Sequence, residues 1–129
     1  MSSPTDPDDI VEVLALTADR PRPDVLVVRV VGELDMITAP RLTAYLASAV
    51  GAGVRHLALD VSAVTFLGSH GISALVALRD NEAGHPARIH LIGARDNPRV
   101  RRVLDIVALT ATFSDHPTVA DLIARIDPV

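Results

Sequence analysis

The chain has 129 residues, 49% of them hydrophobic and 22% charged, which suits one domain with a full core and leaves no room for a second. Cysteine is absent, which excludes disulfides, thiol catalysis and thiolate metal sites. Only 2% of residues are aromatic and the net charge is −4, which argues against direct nucleic-acid binding. All 12 basic residues are arginine, so lysine-dependent chemistry such as a Schiff base is also excluded.

The N-terminal residues 1–9 are acidic and rich in proline, unlike a signal peptide, and they predict a flexible tail. The longest apolar stretch, residues 67–78, is interrupted by glycine, serine and histidine and is too short to cross a bilayer. We therefore expect a cytoplasmic protein that does not associate with membranes.

The remaining residues, 10–129, predict strands that alternate with helices. Strands over residues 10–17 and 25–31, joined by a loop with two prolines, predict an opening hairpin. Thr38 is a fair N-cap for a helix that has Pro40 in its first turn and apolar residues at helical spacing. A strand over residues 54–60 follows, and residues 61–68 are predicted to form a loop.

A second helix is predicted from Ser69 to about residue 82, followed by a strand over residues 87–93. A third helix starts at Asn97 and Pro98, and a final helix capped by Thr118 runs to residue 126. A short edge strand is expected near residues 111–113 between them. This order predicts a single α/β domain, with a mixed sheet of four to five strands, an N-terminal hairpin and about four helices.

Three segments are expected at the carboxyl edge of this sheet, where sites collect in α/β folds: residues 33–38, 66–71 and 93–96. In the second of them, Ser69 starts a helix and has Gly68 and Gly71 beside it. The free amides of a helix N-terminus favour an anion, so one hypothesis is a reactive or modified hydroxyl. The alternative, more common on spacing alone, is that Ser69 is only an N-cap, which stabilises by about 1 kcal/mol.

Two motifs add a family resemblance. Gly32-Glu-Leu-Asp35, and Asp-Val-Ser-Ala-Val-Thr-Phe-Leu-Gly-Ser-His-Gly-Ile over residues 60–72, resemble the STAS domain and, more narrowly, the anti-sigma factor antagonists of bacteria. The resemblance covers residues from about 10 to 127, with the elements in the same order. It implies a STAS domain over residues 10–129 in which Ser69 is the phosphorylation site.

The resemblance also implies the partners. In that family the antagonist binds an anti-sigma factor, itself a serine kinase, and so frees a sigma factor; phosphorylation breaks the complex and a serine phosphatase restores it. No cofactor is implied. Asp35 would orient the hydroxyl or contact the kinase, and we expect Asp35→Ala to leave folding intact. The implied partner-binding residues are Asp35, Met36, Thr38, Gly68, His70, Gly71 and Ile72.

Two positions depart from the family's common pattern. Many members have aspartate where this chain has Gly68, although glycine resembles a common variant there. His70 follows the serine, where serine or alanine is frequent. Its imidazole would tune the partner or contact a phosphoserine; the alternative is a solvated loop histidine.

Other functions are weaker hypotheses. A serine hydrolase would need Gly-x-Ser-x-Gly, and Leu67 occupies the first glycine position. A STAS scaffold, or a subunit of a stress-signalling or lipid-transport complex, would need no kinase switch. The five histidines are scattered and show no pair at ligand spacing, so no metal site is predicted; His56 and His90 are expected to be half-buried in strands. Arg99, Arg101 and Arg102 form either a solvated face or a contact for an acidic partner.

Overall fold

The computed structural model describes residues 14–51, 53–80, 87–109 and 112–128. These residues form a five-stranded sheet in the order β1-β2-β3-β4-β5, with helices in the connections. The strands are β1 (Leu14–Arg22), β2 (Val25–Leu34), β3 (His56–Leu67), β4 (Arg88–Ile92) and β5 (Ser114–His116). The helices are α1 (Ala39–Ala49), α2 (Ser69–Arg79), α3 (Pro98–Ile106) and α4 (Val119–Arg125).

The sheet is mixed, as predicted. β1 and β2 form an antiparallel hairpin, while β2, β3, β4 and β5 are parallel neighbours. Parallel neighbours need crossover connections, and α1, α2 and α3 supply them. The predicted α/β fold with an N-terminal hairpin is therefore confirmed.

Alternation along the strands gives the sheet two buried faces. The larger core joins one face to α1, α2 and α3, with Leu57 and Leu59 of β3 at its centre. The smaller core lies on the opposite face, where Leu122 of α4 packs against Ala58 and Ile92. The carboxyl ends of the strands remain uncovered by this packing, so they are the edge at which a site can form.

Several boundaries differ from the prediction. β1 continues through Pro21 to Arg22, because an edge strand tolerates a residue without an N–H. β3 continues to Leu67, where a loop was predicted, and the short edge strand lies at residues 114–116, after Phe113. The predicted tail over residues 1–9, the start of the first predicted strand and the predicted end of the second helix lie outside the described residues.

The two edges of the sheet are unlike its centre. β1 carries Arg20, Pro21 and Arg22 at one edge, and its register with β2 is irregular between Asp19 and Arg22. β5, at the other edge, has three residues.

The helices in the described ranges are all too short or too polar to span a lipid bilayer.

Candidate functional site

Two of the three predicted segments meet at the carboxyl edge of the sheet. Leu34, which ends β2, is paired in register with Leu67, which ends β3. The amide of Gly68 then donates a hydrogen bond of 2.9 Å to the Leu34 carbonyl. The turn that leads into α1 and the first turn of α2 are thus joined through backbone. This places Asp35 and Ser69 on adjoining segments.

Ser69 is the first residue of α2 rather than its cap. The cap position belongs to Gly68, whose backbone is extended and which has no side chain to accept from the helix amides. Ser69 is exposed, and its hydroxyl forms no hydrogen bond within the described ranges. The interpretation of Ser69 as an N-cap is therefore wrong. The hydroxyl lies free, beside first-turn amides that no side chain caps.

Gly71 holds the first turn of α2 against the end of β2. A Cβ at this position would lie 2.8 Å from both Leu34 Cβ and Leu67 Cδ1, and 2.9 Å from the Leu34 carbonyl oxygen. These distances are below any real contact, so only glycine allows the approach. Gly71 thereby determines how closely the helix that carries Ser69 packs against β2.

Asp35 organises the turn between β2 and α1. Its Oδ1 accepts from the amides of Ile37 at 2.9 Å and Thr38 at 2.8 Å, and lies 3.0 Å from the Thr38 hydroxyl. The bond from the Thr38 amide, followed by the weaker contacts to the Thr38 hydroxyl and Ile37, holds the pKa of Asp35 below its usual value. Asp35→Ala would remove these bonds, at a cost of about 1 kcal/mol of stability, and intact folding of this variant stays a prediction. The second carboxylate oxygen makes no hydrogen bond in the part of the chain that is described.

Two residues predicted to bind a partner are buried instead. Thr38 is fully buried, because its hydroxyl donates to the Glu33 carbonyl at 2.6 Å and accepts from the Asp35 amide at 2.9 Å. Gly71 is buried for the packing reason given above. Ile72 is partly buried against the main core. These three residues support the site from beneath, whereas Ser69 and His70 lie at its surface.

Three apolar side chains are exposed around this junction. Met36 is 62% exposed, Ile37 is 69% exposed and Phe66 is 50% exposed. The Phe66 ring lies over Gly68, because a Cβ at Gly68 would be 2.9 Å from Phe66 Cε2. We call Met36, Ile37 and Phe66 the apolar rim. The predicted partner-binding residues include Met36 but not Ile37 or Phe66. These two could have been found from the sequence, because both are large apolar residues immediately beside predicted site residues.

His70 lies on the helix side of the junction. It lines a shallow, mostly apolar groove of about 540 Å³ between α1 and α2, together with Ala44, Ser73 and Ala74. The residue therefore belongs to α2 and faces the groove, and it is not part of a loop.

The third predicted segment, residues 93–96, is hydrogen-bonded to β5. The Gly93 amide donates to the His116 carbonyl, and the amides of Ala94 and Arg95 donate to the Asp115 carboxylate. It leads into α3, where Arg99, Arg101 and Arg102 are exposed and Arg101 pairs with Asp105 at 3.7 Å. These hydrogen bonds hold the segment to β5 at the start of α3.

Three of the five histidines form a row on the opposite face of the sheet, beside α4. His56 Nδ1 lies 3.1 Å from His90 Nε2, His90 Nδ1 lies 3.3 Å from Ser114 Oγ, and Ser114 Oγ lies 3.0 Å from His116 Nε2. We call these four residues the histidine row. Burial, and then the neighbouring histidines and Arg88, lower the pKa of His90 to about 4. Burial is also the largest cause that lowers the pKa values of His56 and His116.

The histidine row corrects the prediction that the histidines are scattered. His56 and His90 come together because their strands are parallel neighbours and Ala58 pairs with His90, which places the two rings diagonally on one face. His56 is half-buried, as predicted, whereas His90 is more deeply buried than predicted, at 4% exposed. Among the described residues, no three side chains of histidine or acidic type are arranged to bind a metal ion.

Comparisons with known proteins agree with this architecture. A family model of the STAS domain matches residues 18–122. The anti-sigma-F factor antagonist RsfB of Mycobacterium tuberculosis is 31% identical over 102 residues, which is 79% of this chain and 81% of that protein. A crystal structure of an anti-sigma factor antagonist from Mycobacterium paratuberculosis has a TM-score of 0.72 and 32% identity, covering 86% of this chain and 92% of the other. The anti-sigma factor antagonist SpoIIAA in its unphosphorylated form has a TM-score of 0.66 and 25% identity, covering 86% and 95%.

Proposed function

The chain belongs to the STAS domain family, and we propose that residues 10–129 act as an anti-sigma factor antagonist that phosphorylation of Ser69 switches off. The unphosphorylated protein binds an anti-sigma factor, itself a serine kinase, and a sigma factor is released. Phosphorylation ends the complex, and a serine phosphatase resets it. The cycle takes place in the cytoplasm and needs no cofactor, nucleic acid or membrane contact. The relatives described above, which are anti-sigma factor antagonists, support the partner class.

The free Ser69 hydroxyl is the observation that carries the proposal. It is exposed at the start of α2, it makes no hydrogen bond within the described ranges, and the cap residue before it has no side chain. A phosphate at this position would meet uncapped amides and the positive end of the helix dipole. The domain can therefore accept the modification without unfolding, so the effect of the phosphate falls on the partner.

The surroundings of Ser69 suit a protein partner. The apolar rim of Met36, Ile37 and Phe66 provides exposed apolar area that a partner can cover. The Asp35 carboxylate oxygen without a hydrogen bond provides a charged acceptor at the margin of the rim. Because the apolar groups lie beside the hydroxyl, a partner bound to them would also contact Ser69, so its binding would depend on whether Ser69 carries a phosphate.

Hydrolase chemistry finds no support at this site. A serine nucleophile needs a base within hydrogen-bond reach, and no histidine contacts the Ser69 hydroxyl in the part of the chain that is described. A scaffold without a kinase switch is the remaining alternative, and it predicts no transfer of phosphate to Ser69.

Phosphorylation can be tested directly. We expect incubation with the cognate anti-sigma kinase and ATP to add one phosphate to the peptide that contains Ser69, as measured by mass spectrometry. Ser69→Ala should abolish the added mass. Ser73→Ala is the matched control, since Ser73 is exposed one turn later on α2 and should leave phosphorylation unchanged. Phosphate on Ser73, or none with any candidate kinase, would contradict the proposal.

The apolar rim yields a second prediction. Phe66→Ala should weaken binding of the anti-sigma factor by about 2 kcal/mol, or roughly thirtyfold in Kd, because a half-exposed aromatic ring in a docking surface is a frequent hot spot. Ile106→Ala is the control, since Ile106 is 75% exposed at the end of α3. Isothermal titration calorimetry of both variants would measure the difference. Equal affinities for the two variants would remove the apolar rim from the interface.

A further inference from the structure

β3 extends well beyond its partner strand on one side. Pairing with β4 ends where Asp60 meets Ile92, but β3 continues to Leu67 and leads directly to Ser69. Over this last part β3 pairs with β2 alone, and the register shifts twice, between Arg29 and Val31 and between Gly32 and Glu33. Such shifts bend a strand and leave backbone groups outside the regular ladder.

The Asn97 side chain occupies the open edge of β3. Its Nδ2 donates to the carbonyls of Val61 at 2.9 Å and Val64 at 2.8 Å, and it lies 3.3 Å from the Ser62 carbonyl. Asn97 is 7% exposed, so these carbonyls are satisfied where water has little access. For this part of β3, the Asn97 side chain therefore donates the hydrogen bonds that a neighbouring strand would donate in a continuous sheet.

The same residue also caps α3. Its Oδ1 accepts from the Arg99 amide at 3.2 Å, so the two ends of one amide group join the helix to the strand. A carboxylate would keep the cap but lose both donors, and a serine hydroxyl would keep the cap with a shorter reach. Only a primary amide at this position satisfies both partners.

We propose that Asn97 is a positioning residue for the switch, holding the bent end of β3 so that Phe66 and Ser69 are presented to the partner. This inference rests on the function proposed above, and it gives α3 a role that its distance from Ser69 along the chain does not suggest. Removal of the amide donors leaves buried carbonyls unsatisfied, so the end of β3 should loosen while the rest of the sheet stays intact.

The test separates the amide donors from the helix cap. Asn97→Ser keeps a good N-cap for α3 and removes the donors to β3. Thr118→Ala is the matched control, because it removes the cap of α4, where Thr118 accepts from the Asp121 amide on the opposite face of the sheet. Hydrogen exchange followed by mass spectrometry should show about tenfold faster exchange of the peptide over residues 61–69 in Asn97→Ser, and no change there in Thr118→Ala.

Binding of the anti-sigma factor should fall about tenfold in Asn97→Ser and stay unchanged in Thr118→Ala. Equal exchange and equal binding in the two variants would overturn the proposal. The exchange measurement needs no partner, so it is decided even if the wild type fails to bind an anti-sigma factor, a result that would count against the proposed function alone.

A second measurement covers the case in which Asn97→Ser does not fold. The bonds of Asn97 hold the end of β3, which leads directly to Ser69, so a charge added at Ser69 should perturb them. In Ser69→Glu, the NMR signals of the Asn97 side-chain amide should shift, whereas the backbone amide signal of Asp121 should not. Unshifted Asn97 signals would refute the positioning role.

Discussion

Ser69→Glu should weaken binding to the anti-sigma factor about a hundredfold, while Ser69→Ala should bind as tightly as the unphosphorylated wild type. A docked partner would have to desolvate the added carboxylate beside the apolar rim without a counter-charge prepared for it. The uncapped start of α2 can accept an anion, so the fold should be unaffected. Alanine only removes a hydroxyl that has no partner in the described structure.

Surface binding measurements with and without ATP would check this. ATP should release the wild type from an anti-sigma kinase and leave Ser69→Ala bound, because only the wild type can be phosphorylated. Unfolding midpoints in urea should agree for the wild type and both variants, which rules out misfolding as the cause. Equal affinities of the wild type, Ser69→Ala and Ser69→Glu, with no effect of ATP, would favour a constitutive scaffold.

Acid should destabilise the domain through the histidine row. The pKa of His90 is lowered to about 4 in the folded protein, against an ordinary value of 6.5. Its neutral form is therefore favoured by folding, so its contribution to stability is complete above pH 6.5 and is lost as the pH falls towards 4. The expected loss at pH 4 is about 3 kcal/mol from His90 alone. His56 and His116 act in the same direction.

The carboxylates with lowered pKa values act in a different range. The pKa values of Asp24, which is hydrogen-bonded to Arg22, and of Asp35 are both lowered from 3.8. The contributions of these two carboxylates to stability are therefore lost only at pH values lower than those at which His90 titrates. His90→Gln should flatten the decline between pH 6.5 and 4, because an amide can donate and accept in the row without titrating. Ser73→Ala, at an exposed position without an ionisable group, should leave the decline unchanged. Urea unfolding at several pH values measures the stability of both variants. Identical declines in the wild type and His90→Gln would exclude His90 as the cause of the acid destabilisation.

Most of the fold could be predicted from sequence because strands and helices alternate with clear apolar periods. The structure confirms Leu42 and Leu46 at helical spacing, the helix start at Asn97 and Pro98, and the cap at Thr118. The end of β3 could not be recognised, because its two register shifts break the alternation over residues 61–67 and make a strand resemble a loop. Pro21 suggested a loop where the structure has an edge strand.

The candidate site was predictable in its location but not in its details. Glycine and serine before an apolar helix pointed to the junction, but a pattern cannot show that Gly68 takes the cap position and leaves Ser69 free. The resemblance implies that Thr38 and Gly71 bind a partner, but both are buried through contacts with Glu33 and Leu34, which only the paired ends of β2 and β3 create. The histidine row depends on strand register, which residue spacing does not encode.

The edges of the sheet also determine how this protein can meet others. β1 ends in Arg20, Pro21 and Arg22 with an irregular register, and β5 is only three residues long, and features of this kind discourage another strand from extending a sheet edge. In the function proposed above, association with the anti-sigma factor relies instead on side chains at the loop end of the sheet. Side-chain contacts form and dissociate without the formation of backbone hydrogen bonds between strands of the two proteins. Under the proposed function, one added charge at Ser69 would therefore be enough to release the partner, and repeated cycles of binding and release should not seed aggregates.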